Sequence, residues 1–215
     1  MRASVLWTGG KDSAMAFYKA RLSGYEIVNL LTFVPGNADF LAHPIPFMKD
    51  QAKAIGVTHY EAVIGAPLEE AYEKAIRLFV EKYRIDALIT GDIAEIDGQP
   101  NWIRQRCEDK GIKVLTPLWG ADRYRAMSEF LSCGFSAVIS CIKKGCLPEE
   151  WLGKELDEES LNSLVVLSGK TGIDICGENG EYHTLVFDGP IFDHGVVINN
   201  YSKQANNSVV YIKPL

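Results

Sequence analysis

The sequence predicts an α/β fold, in which a parallel sheet carries helices on both faces and is followed by a smaller C-terminal α+β domain. Short apolar runs alternate with amphipathic stretches through the first two thirds of the 215-residue chain. Such a rhythm is typical of a parallel sheet with crossover helices. This alternation of strands and helices ends near residue 133, and Gly-rich sequence with further β-like runs follows. We therefore predict one domain over residues 1–130 and a second over residues 131–215.

Each element follows from hydrophobic spacing and from the residues that interrupt it. The predicted strands of the first domain are residues 3–7, 27–34, 59–64, 87–90 and 114–116. Helices with apolar residues three and four apart are predicted at residues 12–22, 46–55, 68–83, 102–110 and 122–133. In the second domain, strands are predicted at residues 135–142, 184–187, 196–199 and 209–212, and the charged stretch 154–160 is given no helix.

Composition excludes several classes of protein. The formal net charge of −6 gives no electrostatic signature of a nucleic-acid-binding protein, so nucleic acid is not expected as a partner. No run approaches the ~18 apolar residues that a membrane span needs, and no targeting segment is visible, so we expect a soluble, cytoplasmic protein without a membrane partner. The five cysteines have no zinc or disulfide spacing and are expected to be reduced packing residues.

A phosphate-binding loop is predicted where the first strand leads into the first helix. This Gly-rich loop consists of Thr8, Gly9, Gly10, Lys11, Asp12 and Ser13. The glycines can expose consecutive backbone N–H groups, and the helix N-terminus favours an anion. The lysine adds positive charge, the two hydroxyl groups can donate, and Asp12 is suited to hold Mg²⁺ on the phosphates of ATP. A strand-to-helix turn, with Asp12 or Ser13 as the helix cap, is the alternative.

The spacing of the Gly-rich loop narrows the chemistry. The Walker A and GxGxxG patterns are absent, which argues against a P-loop kinase and a dinucleotide enzyme. The loop instead resembles the PP-loop of N-type ATP pyrophosphatases, SGGxDS, with Thr8 in place of the first serine. That resemblance implies an adenine nucleotide alpha-hydrolase-like, Rossmann-like fold. It also implies that AMP is transferred to a substrate oxygen while pyrophosphate leaves.

A second group of candidates follows the fourth predicted strand. Gly91 and Asp92 lie at the strand end, the edge where open parallel sheets bind ligands, and Asp92 is suited to orient the nucleotide or metal. Arg104 and Arg106 are two residues apart on a predicted helix, so at most one is expected to face the phosphates. We select Arg104, and solvated arginines are the alternative for both.

Residues 176–184, here named the C-terminal motif, combine two carboxylates, a histidine and a hydroxyl with two glycines. Such a set suits acid/base chemistry or substrate binding, and a polar β-turn is the alternative. Together with the Gly-rich loop and residues 91–93, 102–107, 115–119 and 188–192, the motif resembles the diphthine-ammonia ligase family over nearly the whole chain. The resemblance implies that the motif faces ATP across a cleft. The residues implied to position the acceptor carboxylate or ammonia are Glu178, Glu181, His183 and Thr184.

The C-terminal motif also departs from that family. The family pattern is Glu-Gly-Gly-Glu-aromatic-Glu-Thr, whereas this chain has Asn179 and His183 at the second and sixth positions. A histidine in place of glutamate changes the charge and the pKa near neutrality where the acceptor is handled. The other histidines, at positions 43, 59 and 194, are isolated and are assigned no function.

The predicted protein is therefore an ATP-dependent carboxylate–ammonia ligase that uses ATP and Mg²⁺ and forms AMP and pyrophosphate. Its predicted catalytic residues are Lys11, Asp12, Glu178, Glu181 and His183. Free ammonia is the expected nitrogen source because nothing resembles a glutaminase. The acceptor carboxylate is either diphthine on elongation factor 2 or a small molecule such as a corrinoid precursor. Transfer RNA thiolation, a non-catalytic adenine-nucleotide sensor and a homodimeric assembly remain open alternatives.

Overall fold

Five short apolar segments form the parallel sheet that the sequence predicts. The computed structural model describes residues 1–36, 40–95, 101–107, 110–198 and 201–214. The strands are β1 (Arg2–Leu6), β2 (Glu26–Pro35), β3 (Thr58–Ile64), β4 (Ala87–Ile89) and β5 (Lys113–Leu115). Their order is β3-β2-β1-β4-β5, and every neighbouring pair is parallel. The chain therefore crosses over after β3 from one side of β1 to the other, which leaves a crevice at the carboxyl ends of the central strands.

Helices cover both faces of this sheet, as predicted. They are α1 (Lys11–Leu22), α2 (Ile45–Ile55), α3 (Leu68–Tyr83), α4 (Trp102–Cys107) and α5 (Arg123–Ser132). Apolar residues of α1, α2 and α5 share one core, whereas those of α3 and α4 form a second core on the other face. Within the described part of the chain, none of the helices combines the length and apolar character needed to cross a membrane.

The smaller domain is an antiparallel sheet. Its strands are β6 (Ser136–Lys143), β7 (Tyr182–Asp188), β8 (Tyr201–Ala205) and β9 (Val209–Pro214), in the order β7-β6-β9-β8. The strand predicted at residues 196–199 was wrong over its described residues 196–198, which belong to no strand; residue 199 lies outside the described residues. Val196 donates one backbone hydrogen bond to Phe187, so this run lies beside β7 without forming a ladder.

One helix was missed by the sequence analysis, α6 (Glu158–Thr171). The charged stretch 154–160 contains its beginning. Asp157 and Ser160 form a capping box, and Gly172 ends the helix in the left-handed conformation. The signal was therefore present as a cap-and-glycine pair, but the charged residues of the first turn obscured it.

The two sheets share one hydrophobic core. Ala3 and Trp7 of the first sheet region and Leu185 and Val186 of β7 belong to the same buried cluster. The predicted domain boundary between residues 130 and 131 falls inside α5, and it stays a prediction. The shared core fixes β7 against the crevice of the parallel sheet.

The cap of α6 gives a stability prediction. Asp157 Oδ1 accepts from the Ser160 N–H at 2.7 Å, and this bond lowers the pKa of the carboxyl. Asp157→Ala is expected to lower the free energy of unfolding by about 1 kcal/mol at pH 7 in urea titrations. Because the pKa is lowered on folding, that loss shrinks as the pH falls and the carboxyl is protonated. Asn162→Ala, on an exposed position of the same helix, is the control; an equal loss there would contradict the prediction.

Candidate active site

A cavity of about 470 Å³ opens at the carboxyl ends of β1, β2 and β4. The Gly-rich loop, the end of β4 and the C-terminal motif all contribute to its wall. The predicted site residues that line it are Thr8, Gly10, Lys11, Asp12, Ser13, Gly91, Asp92, Glu178, His183 and Thr184. Gly9, Arg104 and Glu181 are not among the described residues that line the cavity. The structure therefore brings together most of the residues that the sequence selected from three distant segments.

The N-terminus of α1 is open toward an anion. Gly10 is the N-cap residue and no side chain caps the helix, in contrast to the alternative in which Asp12 or Ser13 is the cap. The Lys11 N–H donates to Thr184 Oγ1 at 3.0 Å. The N–H groups of Asp12 and Ser13 have no partner among the described residues, so they remain available for a phosphate oxygen.

Two glycines allow this helix start to sit so close to its neighbours. A Cβ on Gly91 would lie 2.6 Å from the Asp12 carbonyl carbon, a distance that only glycine permits. Gly9 has φ +75°, and a Cβ there would lie 2.7 Å from Gln51 Oε1. The absence of side chains at these two positions therefore sets the shape of the Gly-rich loop.

Lys11 points from the Gly-rich loop toward the C-terminal motif. Its Nζ lies 2.7 Å from Asp12 Oδ2 and donates to the Cys176 carbonyl oxygen at 2.5 Å. Burial alone disfavours the charge, but the Asp12 carboxylate offsets it, and the pKa of Lys11 is held above its ordinary value. Lys11 is thus a fixed cation that connects the two halves of the site.

Gln51 holds the Gly-rich loop against β7, and the sequence analysis missed it. Its side-chain Nε2 donates to the carbonyls of Gly9 at 2.9 Å and Val186 at 2.6 Å, while Trp7 Nε1 donates to its Oε1 at 2.9 Å. The Val186 N–H also donates to the Gly9 carbonyl at 2.9 Å. A glutamine within an amphipathic helix carries no sequence signal for such a role.

Asp92 is oriented by its neighbours at the end of β4. Thr90 Oγ1 and Asn101 Nδ2 both donate to Asp92 Oδ2. Asn101 is itself buried and accepts at Oδ1 from the Arg104 N–H at 2.8 Å. The carboxylate is therefore held at the cavity wall, where it can orient a nucleotide or a metal ion.

The two arginines of α4 lie outside the cavity wall. Arg104 Nη2 donates to Thr116 Oγ1 at 2.9 Å. Arg106 Nη1 lies 3.1 Å from Glu69 Oε2, and its guanidinium stacks over Trp102 at 4.5 Å. Arg106 is thus packed against α3 and Trp102, whereas Arg104 is exposed, and a nucleotide-binding role for Arg104 stays a prediction.

The two carboxylates of the C-terminal motif have different environments. Glu178 lines the cavity, and burial, reinforced by nearby Asp12, raises the pKa of its carboxyl to about 7. Glu181 is 5% exposed and accepts from the N–H groups of Asp174 at 2.8 Å and Asn179 at 3.0 Å. Glu181 therefore holds the turn of the motif, whereas the Glu178 carboxyl lines the cavity with a raised pKa.

Two histidine rings meet in the wall of the cavity. His43 and His183 are 5.0 Å apart between ring centroids, at an angle of 77°. His43 Nδ1 lies 2.9 Å from the Thr8 carbonyl oxygen. Burial lowers the pKa of His43 to about 3, and burial together with Lys11 lowers that of His183 to about 4. Both imidazoles are therefore neutral at pH 7, and His43, predicted to have no function, lies in the site.

A group of aromatic rings from β2, α3 and α4 also lines the cavity. Tyr72 lies 4.7 Å from Phe33 and 6.1 Å from Trp102 between ring centroids. Flat apolar faces of this kind suit a planar ring such as a nucleobase. The cavity thus combines an aromatic surface with a helix N-terminus that no side chain caps.

The acidic side chains fit a magnesium ion that takes most of its ligands from phosphates and water. Asp12 and Asp92 both line the cavity. Within the described residues, no three His, Cys, Asp or Glu side chains are grouped as a metal site. Mg²⁺ is usually held by only one or two carboxylates together with substrate phosphates, so the donor set agrees with such an ion.

Comparisons with known proteins agree with the motif resemblance. The family model of the diphthamide synthase N-terminal domain matches residues 1–114, and that of the diphthamide synthase C-terminal domain matches residues 122–213. The diphthine–ammonia ligase of Bos taurus is 26% identical over 244 aligned positions, covering 99% of this chain and 90% of the bovine protein. The enzyme of the same name from Danio rerio is 28% identical over 224 positions, covering 93% of this chain and 87% of the fish protein.

Similarity to a solved structure is weaker. A predicted subunit of tRNA methyltransferase from Methanocaldococcus jannaschii superposes with a TM-score of 0.48 and 18% identity. The superposition covers 86% of this chain and 96% of that one. A likeness at this level has no bearing on function.

The close approach of Gly91 to α1 predicts a specific defect. Gly91→Ala is expected to displace the start of α1 and to weaken binding of a non-hydrolysable ATP analogue by about 10-fold or more, equivalent to about 1.4 kcal/mol. Calorimetric titration measures the affinity. Gly65→Ala is the matched control, because a Cβ there meets no atom within 4 Å. Unchanged affinity in Gly91→Ala would show that this contact does not shape the nucleotide site.

Proposed function

This chain belongs to the diphthamide synthase family, as its motifs predicted, and from that membership we propose that it is an ATP-dependent amidoligase. It adenylates a substrate carboxylate, releases pyrophosphate and forms an amide with ammonia. The observation that carries the proposal is that the open N-terminus of α1 and the C-terminal motif line the same cavity. The N-terminus of α1 would bind the phosphates of ATP, and the C-terminal motif would bind the acceptor carboxylate.

The Gly-rich loop binds the phosphates in this proposal. The N–H groups of Asp12 and Ser13 are the donors, and the helix dipole favours the negative charge. The Ser13 hydroxyl donates to the Gly10 carbonyl at 3.0 Å and the Thr8 hydroxyl to Ser13 Oγ at 3.3 Å, so these two side chains brace the loop. Asp12 and Asp92 are the carboxylates that would hold Mg²⁺, which neutralises phosphate charge when bound. The aromatic surface of Tyr72 and Trp102 is available to the adenine ring.

The first step joins the acceptor carboxylate to AMP. A carboxylate oxygen attacks the α-phosphorus, the bond to the bridging oxygen breaks, and pyrophosphate leaves with the electron pair. Lys11 is held beside the reacting phosphates by Asp12 and the Cys176 carbonyl, where its fixed charge stabilises the additional negative charge of the transition state. Residues Lys11 and Asp12 therefore act in adenylation.

The second step forms the amide. Ammonia attacks the acyl carbon, the bond from that carbon to the AMP oxygen breaks, and the nitrogen must lose one proton. Glu178 is the proton acceptor in our proposal, because a carboxyl with a pKa of about 7 exists largely as the base just above neutrality. His183 and Thr184 line the same wall and position the reactants.

Diphthine on elongation factor 2 is the proposed acceptor, since the named relatives are diphthine–ammonia ligases. Such an acceptor would place the reaction in the cytoplasm. His183 stands where the family pattern has a glutamate, and this difference makes a small carboxylate other than diphthine the second candidate acceptor. Both acceptors use the same ATP chemistry.

The products of ATP test the proposal. With ATP, Mg²⁺, ammonium chloride and diphthine-containing elongation factor 2, or a panel of small carboxylates, we expect equal amounts of AMP, pyrophosphate and amide by mass spectrometry. Asp12→Asn should lower the rate by about 100-fold because it removes the charge that would hold the metal. Asp50→Asn, an exposed position in α2, is the matched control and should retain the rate.

Two results would overturn this proposal. Formation of ADP and phosphate would mean that ATP is cleaved between the β and γ phosphates and not between the α and β phosphates. Tight binding of ATP without turnover, whatever the acceptor, would favour an adenine-nucleotide sensor instead.

The raised pKa of Glu178 predicts the pH dependence of amidation. Below about pH 7 the carboxyl is protonated and cannot accept a proton, so the rate should fall with decreasing pH. Glu178→Gln should lower the rate by about 100-fold and remove this limb of the profile. Total ammonium must be adjusted at each pH so that the free ammonia concentration is constant. An unchanged acidic limb in Glu178→Gln would assign the titration to another group.

A further inference from the structure

The tautomer of His43 is fixed by the Gly-rich loop. Its Nδ1 lies 2.9 Å from the Thr8 carbonyl oxygen, and a carbonyl can only accept a hydrogen bond. Nδ1 must therefore carry the proton. In the neutral ring, Nε2 then has a lone pair and can only accept.

The accepting nitrogen of His43 is not used by the protein. Within the described residues, His43 Nε2 and both ring nitrogens of His183 have no hydrogen-bond partner. None of the three is a buried unsatisfied atom among the described residues, so each is accessible from the cavity that both rings line. The cavity wall therefore presents an imidazole lone pair beside the Gly-rich loop.

The accepting nitrogen of His43 determines which ligands this part of the cavity can bind. An obligate acceptor repels carboxylate and phosphate oxygens, which are acceptors themselves, and favours a group with N–H or O–H bonds. The positive charge of Lys11 acts on His183 and helps to keep the pair neutral. The same charge disfavours a second cation, so neutral ammonia fits this position better than ammonium.

We propose that His43 and His183 form the binding subsite for the ammonia nucleophile, with His43 Nε2 accepting an N–H hydrogen bond. The inference rests on the proposed amidoligase function and adds His43 to its site. The Thr8 carbonyl of the Gly-rich loop, by orienting His43, thereby orients the nucleophile. His43 positions the nitrogen, and the proton is lost later to Glu178.

Binding is tested first by NMR, in a way that does not depend on the acceptor. The full chain with ¹⁵N-labelled histidine is titrated with ammonium chloride, with and without Mg²⁺ and α,β-methylene-ATP, while potassium chloride keeps the ionic strength constant. We expect a saturable shift of the His43 Nε2 signal that follows the free ammonia concentration between pH 7.5 and 9. His43→Asn identifies the signal by its loss. A shift that is absent, or equal with potassium chloride alone, overturns the inference.

Kinetics test the same subsite through two matched variants. His43→Asn retains an amide that can donate to the Thr8 carbonyl but has no group at the Nε2 position, whereas His43→Gln can reach that position with its amide oxygen. We expect His43→Asn to raise the KM for ammonia about 10-fold, the effect of one neutral hydrogen bond, with the KM for ATP unchanged. His43→Gln should recover part of the loss. His194→Asn, exposed and outside the cavity wall, is the control.

The outcomes separate the two proposals. If no AMP forms with any acceptor while the ammonia-specific NMR shift persists, the proposed function fails and the subsite stands. If AMP and amide form and His43→Asn keeps the wild-type KM for ammonia, the subsite is refuted and the function stands. A parallel rise in the KM for both ATP and ammonia in His43→Asn would indicate a structural role for His43 and would also refute the subsite.

Discussion

The side-chain amide of Gln51 is the interaction on which the rest of the site depends. It is fully buried, and each of its hydrogen-bonding groups is satisfied by Trp7, Gly9 or Val186. Each such bond contributes only about 1 kcal/mol net, but a buried polar group that loses its partner costs more. Gln51 therefore specifies one position for the Gly-rich loop relative to β7. Another arrangement would leave the buried amide of Gln51 without these partners.

The proposed phosphate site therefore depends on both sheets. Thr184 Oγ1 accepts the first N–H of α1, and the Cys176 carbonyl accepts from Lys11. A parallel sheet alone would supply the strand ends, but it would leave the lysine and the helix N-terminus without these partners. The C-terminal motif is thus joined to the Gly-rich loop by direct hydrogen bonds, and a shift of β7 would change both sides of the cavity.

Sequence patterns predicted the parts of the site that are local. The Gly-rich loop and the pair Gly91–Asp92 were found because parallel strands end at one edge, so their following residues must meet. Gln51 and His43 were missed because their roles depend on partners far away in the chain, Val186 and Thr8. The sequence also could not separate Glu178 from Glu181. Both are acidic residues of one motif, and only the fold decides which one faces the cavity.

The side chains that line the cavity carry little positive charge, so binding of a triphosphate would depend on backbone N–H donors of the Gly-rich loop. Among the described residues that line it, Lys11 is the one cationic side chain, and Asp12 neutralises it at 2.7 Å. Asp92 and Glu178 add further acidic groups. Side-chain charge alone would therefore repel a triphosphate. In the proposed function, attraction would come from the open N–H groups of α1, beside which only glycine fits at positions 9 and 91, and from a divalent cation held by the acidic side chains.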